Sequence, residues 1–62
     1  MRESIVQILM RRDGMTEEEA NNLVEEATDQ MYIYIYEKRD QDTENICNEF
    51  FGLEPDYIDE LI

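Results

Sequence analysis

Sixty-two residues make one small domain near the lower size limit for independent folding. Such a chain buries only about 60% of its unfolded surface, which leaves no room for a sizeable enclosed active site. Seventeen Asp and Glu against five Lys and Arg give a formal net charge of −12, which excludes direct DNA or RNA binding and adhesion to an anionic membrane, because both need cationic side chains.

A 42% hydrophobic content with six aromatics suffices for a compact core and argues against disorder. The first apolar residues, Ile5, Val6, Ile8, Leu9 and Met10, are too few and too interrupted for a signal peptide or membrane span. They read instead as a first helix over residues 3–12, with Ile5, Ile8, Leu9 and Arg12 on one face. Arg11 and Arg12 fall in its last turn, where positive charge complements the helix dipole. Gly14 then supplies the left-handed residue that ends it.

Thr16-Glu17-Glu18-Glu19 has the form of a capping box that starts a second helix. Ala20, Leu23, Val24, Ala27, Met31, Tyr34 and Ile35 follow at helical spacing as its core stripe. Lys38 and Arg39 lie near its end, so four of the five basic residues sit at helix C-termini. The segment Met31-Tyr32-Ile33-Tyr34-Ile35-Tyr36 alternates like a strand and is rich in strand formers. It is read as helix, because the upstream stripe enters it in phase. A lone strand, moreover, would leave its backbone groups unpaired.

Asp40-Gln41-Asp42 reads as a polar turn, with Asp42 capping a third helix over about 43–51. Ile46, Cys47, Phe50 and Phe51 line one side of that helix, and Gly52 followed by Leu53 closes it. Pro55 opens a short fourth helix with Tyr57, Ile58, Leu61 and Ile62 as its apolar face. The expected fold is all-α: residues 1–62 form a single domain, a compact bundle of three helices plus a short C-terminal helical turn, with the second helix as spine.

No catalytic constellation emerges. The chain has no His, the commonest general base. Ser4 has no evident base partner, and carboxylate pairs such as Glu25 and Asp29 are unavoidable at this acid content. The chain is therefore read as a non-enzyme without a cofactor. Asp40-x-Asp42-x-Glu44 resembles the opening of a calcium loop, but Asn45 and Phe51 stand where that loop needs Gly and a bidentate Glu. Zinc is excluded by one Cys and no His. Cys47, among Ile46, Phe50 and Phe51, reads as a core thiol, and a single cysteine fits a reducing cytosol.

The tyrosines carry more information. Asn22, Glu25 and Asp29 lie opposite the core stripe of the second helix, and the same far face continues into Tyr32, Ile33 and Tyr36. A helix apolar all round at one end has to bury both sides. Either the third and fourth helices wrap around it, the simpler expectation, or the patch is left for a partner or a second copy. Self-repulsion among the carboxylates also predicts native carboxyl pKa values above the unfolded ones, and hence stabilisation by mild acid.

Arg12-Asp13-Gly14-Met15-Thr16-Glu17-Glu18-Glu19-Ala20 together with Gly52-Leu53-Glu54-Pro55-Asp56-Tyr57-Ile58 resembles a group of short acidic helical proteins encoded by bacteriophages and prophages. The group has no assigned activity, and the Tyr-rich Met31–Tyr36 segment departs from the more polar stretch expected there. The resemblance implies a bacterial host cytoplasm and raises the prospect of a small inhibitor of host machinery. The leading functional expectation is a protein-binding module that mimics nucleic-acid charge toward a basic partner. It would use Glu18, Glu25, Asp29, Tyr32, Tyr36, Asp56, Asp59 and Glu60. The alternative is a structural, self-associating helical protein.

Overall fold

The computed structural model describes residues 3–61. Ile5–Asp13 form α1, Glu17–Tyr36 form α2, Asp40–Phe51 form α3, and Pro55–Glu60 form a 3₁₀ helix, η1. Among the described residues there is no strand, and the fold is all-α, three helices plus a short C-terminal turn. The alternating Met31–Tyr36 segment is helical, so phase with the upstream stripe outweighs local strand propensity. The molecule measures 33 × 22 × 17 Å, and its long dimension is close to the ~30 Å rise of a twenty-residue helix.

Each helix starts and stops for a local chemical reason. Ser4 caps α1: its hydroxyl accepts from the Gln7 N–H at 3.2 Å, and the Gln7 side chain accepts from the Ser4 N–H at 3.0 Å. Thr16 and Glu19 repeat the arrangement at α2, at 3.1 and 3.0 Å. Gly14 and Gly52 end α1 and α3 in the left-handed conformation, φ 68° and 66°. The backbone N–H groups of Gly52 and Leu53 donate to the Asn48 and Cys47 carbonyls at 2.9 and 3.2 Å, closing α3 as expected.

The α2–α3 corner corrects two expectations. Lys38 and Arg39 lie beyond α2, in the turn, and Lys38 rather than a glycine takes the left-handed position, φ 60°. Its N–H donates to the Ile35 carbonyl and that of Arg39 to the Tyr34 carbonyl, at 3.1 and 2.8 Å. This paired closure reverses the chain so tightly that no three-residue polar turn remains. Asp42 is therefore not the cap of α3. The cap position falls on Arg39, no side chain caps the helix, and Asp40 and Asp42 sit in its first turn, where the dipole favours acid. A non-glycine residue in this conformation costs on the order of 1 kcal/mol.

The core consists of Ile5 and Leu9 of α1; Ala20, Ala27, Met31 and Tyr34 of α2; Ile46, Cys47 and Phe51 of α3; and Leu61. Leu23, Val24, Phe50, Leu53, Tyr57 and Ile58 pack around it half-buried. Cys47 is fully buried, as its apolar neighbours in sequence require. Ala20 and Ala27, two turns apart and wholly buried, keep the inner face of α2 low enough for its neighbours to approach closely. α2 packs against both α1 and α3, and η1 packs on α3. Ile35 does not join the core: it is half exposed, because it lies off the centre of the inner face and one residue from the end of the helix. Ile62 falls outside the described residues.

Two contacts tie the ends together. Arg12, at the end of the apolar face of α1, donates to the Phe51 carbonyl at the end of α3 and forms a two-pronged pair with Asp13 at 3.0 and 2.8 Å. Glu60 of η1 accepts from the Ile5 N–H at 2.9 Å, which supplies a carboxylate to the first turn of α1, a turn that has none of its own.

A methyl group built on Gly14 would meet no atom within 4 Å, so substitution there is opposed by backbone conformation alone. Gly14→Val is expected to destabilise the fold by about 1–2 kcal/mol, and Gly14→Asn by much less, since Asn tolerates the left-handed region. Thermal unfolding of the two variants measures the difference. Equal melting temperatures would contradict it.

Candidate interaction surface

α2 carries Glu17, Glu18, Glu19, Glu25, Glu26 and Asp29 and no Lys or Arg. At 100° per residue, Glu18, Glu25, Asp29, Tyr32 and Tyr36 fall within about 60° of one another on the face turned away from Ala20, Ala27 and Met31. All five are exposed. Tyr32 is 56% exposed and Tyr36 89%, and Ile33 and Ile35 beside them are 48% and 50% exposed. The expectation that the third and fourth helices cover this end of α2 is therefore wrong. α3 packs on its inner side and η1 packs on α3; Tyr34 takes the burial there, at 7% exposed, with the Arg39 guanidinium 4.6 Å from its ring centre.

The structure thus brings together five of the eight residues singled out from sequence. The other three, Asp56, Asp59 and Glu60, do not share that face. They belong to η1, which packs on α3, on the core side of α2. Glu60 is committed to the start of α1 through the Ile5 N–H. Helical spacing relates residues on one helix and says nothing of where a separate turn will dock. Ile35 belongs to the exposed patch rather than to the core. Its nearness to the chain reversal at Lys38 is the only sequence signal that could have placed it there.

The cations are mostly occupied. Arg11 pairs with Glu3 at 2.6 Å, Arg12 with Asp13 at 2.8 Å, and Arg39 with Asp42 and Glu37 at 2.6 and 3.2 Å. Lys38 is exposed and makes no ion pair among the described residues. These surface pairs add little to stability. Their consequence is electrostatic: the guanidiniums neutralise acids near themselves, and none of those acids belongs to α2.

Among the described residues, three carboxyl groups have displaced titration, all downward. The hydrogen bond from Arg11 holds Glu3 below its ordinary value, and that from Arg12 does the same for Asp13. Glu19 is lowered chiefly by the Thr16 backbone N–H and then by the Thr16 side chain. This is opposite to the upward displacement expected from self-repulsion. A directed hydrogen bond at about 3 Å outweighs diffuse repulsion between solvated charges.

A shallow depression at the start of α2 is lined by Met15, Glu19, Asn22, Leu23 and Glu26. Its acid nearest Thr16, Glu19, is already engaged by the backbone of Thr16. Among the described residues, no group of three or more His, Cys, Asp or Glu side chains is placed to hold a metal ion, and no helix is long and apolar enough to cross a membrane. No protein-family model, curated protein or solved structure matches the chain.

The Glu19 cap fixes a pH dependence. Its folded pKa lies below the ordinary value of 4.5, so its contribution is fully present above that value and is lost as pH falls through the lower one. The melting temperature is expected to fall between about pH 5 and pH 3. Glu19→Gln, which keeps the acceptor without the titration as Gln7 does in α1, should flatten that fall. A variant with the unaltered pH slope would show that the cap does not carry the effect.

Proposed function

We propose that this chain is a small acidic protein-binding module that docks a basic partner along the outer face of α2. The observation that carries the reading is one helix face on which exposed carboxylates run directly into exposed aromatics. Glu18, Glu25 and Asp29 lie in line with Tyr32 and Tyr36, and no cation interrupts them. Exposed aromatics beside a charged rim have the composition of an interface core, in which Tyr supplies contact area and the rim supplies steering and register. Carboxylates at one- and two-turn spacing present a line of negative charge to a surface built for phosphates, which is how such a module would imitate nucleic acid. No bond-making chemistry is asked of it. In the bacteriophage setting that the resemblance implies, the partner would be a basic host protein.

The test is a titration with a synthetic amphipathic helical peptide bearing Lys and Arg on one side and Leu on the other, at protein concentrations in the low micromolar range. Binding is expected to weaken about tenfold or more between 50 and 300 mM salt, as charge-steered contacts do. Tyr32→Ala with Tyr36→Ala should weaken it by a similar factor or more. The same double variant should keep cooperative thermal unfolding and lose about 1 kcal/mol or less, because neither ring is part of the core. No binding at low salt, or a double variant that binds like the parent, removes the proposal.

A further inference from the structure

We propose that residues 31–36 have a second structural state, an extended strand that pairs in register with the same segment of other copies in a cross-β stack. The state forms from the opened end of α2 and does not involve the docking of a basic partner.

Local sequence and observed structure disagree at this segment. Met31-Tyr32-Ile33-Tyr34-Ile35-Tyr36 alternates with period two and, apart from Met31, consists of strand formers, yet it is the C-terminal end of α2. Inside the helix the alternation serves no packing purpose: Met31 and Tyr34 reach the core, while Tyr32, Ile33, Ile35 and Tyr36 are exposed. As a strand the same six residues sort completely. Met31, Ile33 and Ile35 then line one face, and Tyr32, Tyr34 and Tyr36 the other. Copies stacked in register set Ile on Ile and Tyr on Tyr, which gives one dry aliphatic face and one ladder of rings. Residues 30–36 carry no charge, Pro or Gly, the composition that such stacks require. Residues 4–10 are equally uncharged, but they do not alternate, and Ile5, Ile8 and Leu9 are buried.

The folded chain holds the strand state off in two ways. The first is packing. Met31 and Tyr34 are fixed in the core, the Arg39 N–H donates to the Tyr34 carbonyl at 2.8 Å, and the Arg39 guanidinium lies 4.6 Å from the Tyr34 ring centre. That hold ends at Lys38, whose left-handed conformation, φ 60°, is disfavoured for an L side chain and is released once the chain extends. The second is charge. Asp29 on one side and Glu37, Lys38 and Arg39 on the other bracket the uncharged run. In a stack each would meet its own kind at about 4.7 Å, well inside the ~10 Å screening length at 0.1 M salt. The net charge of −12 adds to this repulsion. Charges that flank an apolar strand guard it in this manner.

The test uses the whole chain at about 200 μM, within the range where opened strand segments associate. It is held a few degrees below its thermal midpoint in each buffer, in low salt and in about 1 M salt, where the screening length of ~3 Å is shorter than the strand spacing. Thioflavin fluorescence, infrared absorption and fibre diffraction follow the conversion. High salt should speed it about tenfold or more, with a reflection near 4.7 Å and amide-exchange protection over residues 31–36. Ile33→Lys with Ile35→Lys places two cations on the aliphatic face of the strand at positions exposed in the helix, so the fold should be kept and the conversion lost. Asn45→Lys with Asn48→Lys, both exposed on α3, makes the same change in net charge, from −12 to −10, and should convert at least as fast as the parent. A parent chain that stays helical in high salt overturns the inference, as do aggregates without the strand reflection. Protection that falls on residues 4–10 instead overturns it too, as does an Ile pair that converts like the Asn pair. Should the Ile pair fail to fold, the exchange pattern of the parent's fibres still decides which segment forms the stack.

Discussion

A twenty-residue helix whose neighbours have nine and twelve residues can be covered on one side only, and this limit shapes the whole molecule. α2 offers its inner face, low at Ala20 and Ala27 and filled at Met31 and Tyr34, to α1 and α3. The remaining helix among the described residues, η1, packs on α3. The outer face of α2 therefore meets solvent along its full length. Over most of that length the sequence places acids, which water solvates at no cost. At the C-terminal end it places two tyrosines and two isoleucines, which water does not favour.

The small core is supported by contacts at its ends. A domain of this size has few apolar residues to spare, so helix termini left unsatisfied would weigh heavily. Two reciprocal capping boxes, two glycine termini and one lysine terminus close the helices from local sequence. Arg12 and Glu60 add the long-range counterpart. One binds the carbonyl end of α3 and the other the N–H end of α1, so that chain segments remote in sequence complete each other's termini. Among the described residues, no buried side-chain polar atom is left without a partner.

The net charge of −12 is distributed by the same logic. Arginines at helix ends answer the dipoles and pair with nearby acids, which lowers the pKa of Glu3 and Asp13. α2 carries acids and no Lys or Arg of its own, so its outer flank is left negative. An acidic flank that ends in aromatic side chains combines a long-range attraction for cations with a short-range apolar contact. The two respond differently to salt, and this separates a charged partner from a second copy of the chain.

The sequence by itself determined the helices, their starts at Thr16 and Pro55, their stops at Gly14 and Gly52, the core thiol Cys47 and the acidic stripe of Glu18, Glu25 and Asp29. Each of these depends on residues within one or two helical turns, where spacing and cap chemistry are decisive. It also placed Tyr32 and Tyr36 on the face away from the core, because a helix fixes the angle between its own side chains. Tertiary structure decided the rest. Whether those tyrosines were covered depended on which side of α2 the later helices docked, and no local pattern encodes that. Ile35 left the core because the chain reverses at Lys38, and Asp42 lost its capping role because that reversal is so tight. Asp56, Asp59 and Glu60 are acids like those of α2 in sequence, yet η1 carries them elsewhere and turns Glu60 into a cap for α1. Local spacing governs what a single helix presents; the docking of short neighbours against one face governs what stays exposed, because their combined length sets how much apolar surface can be covered.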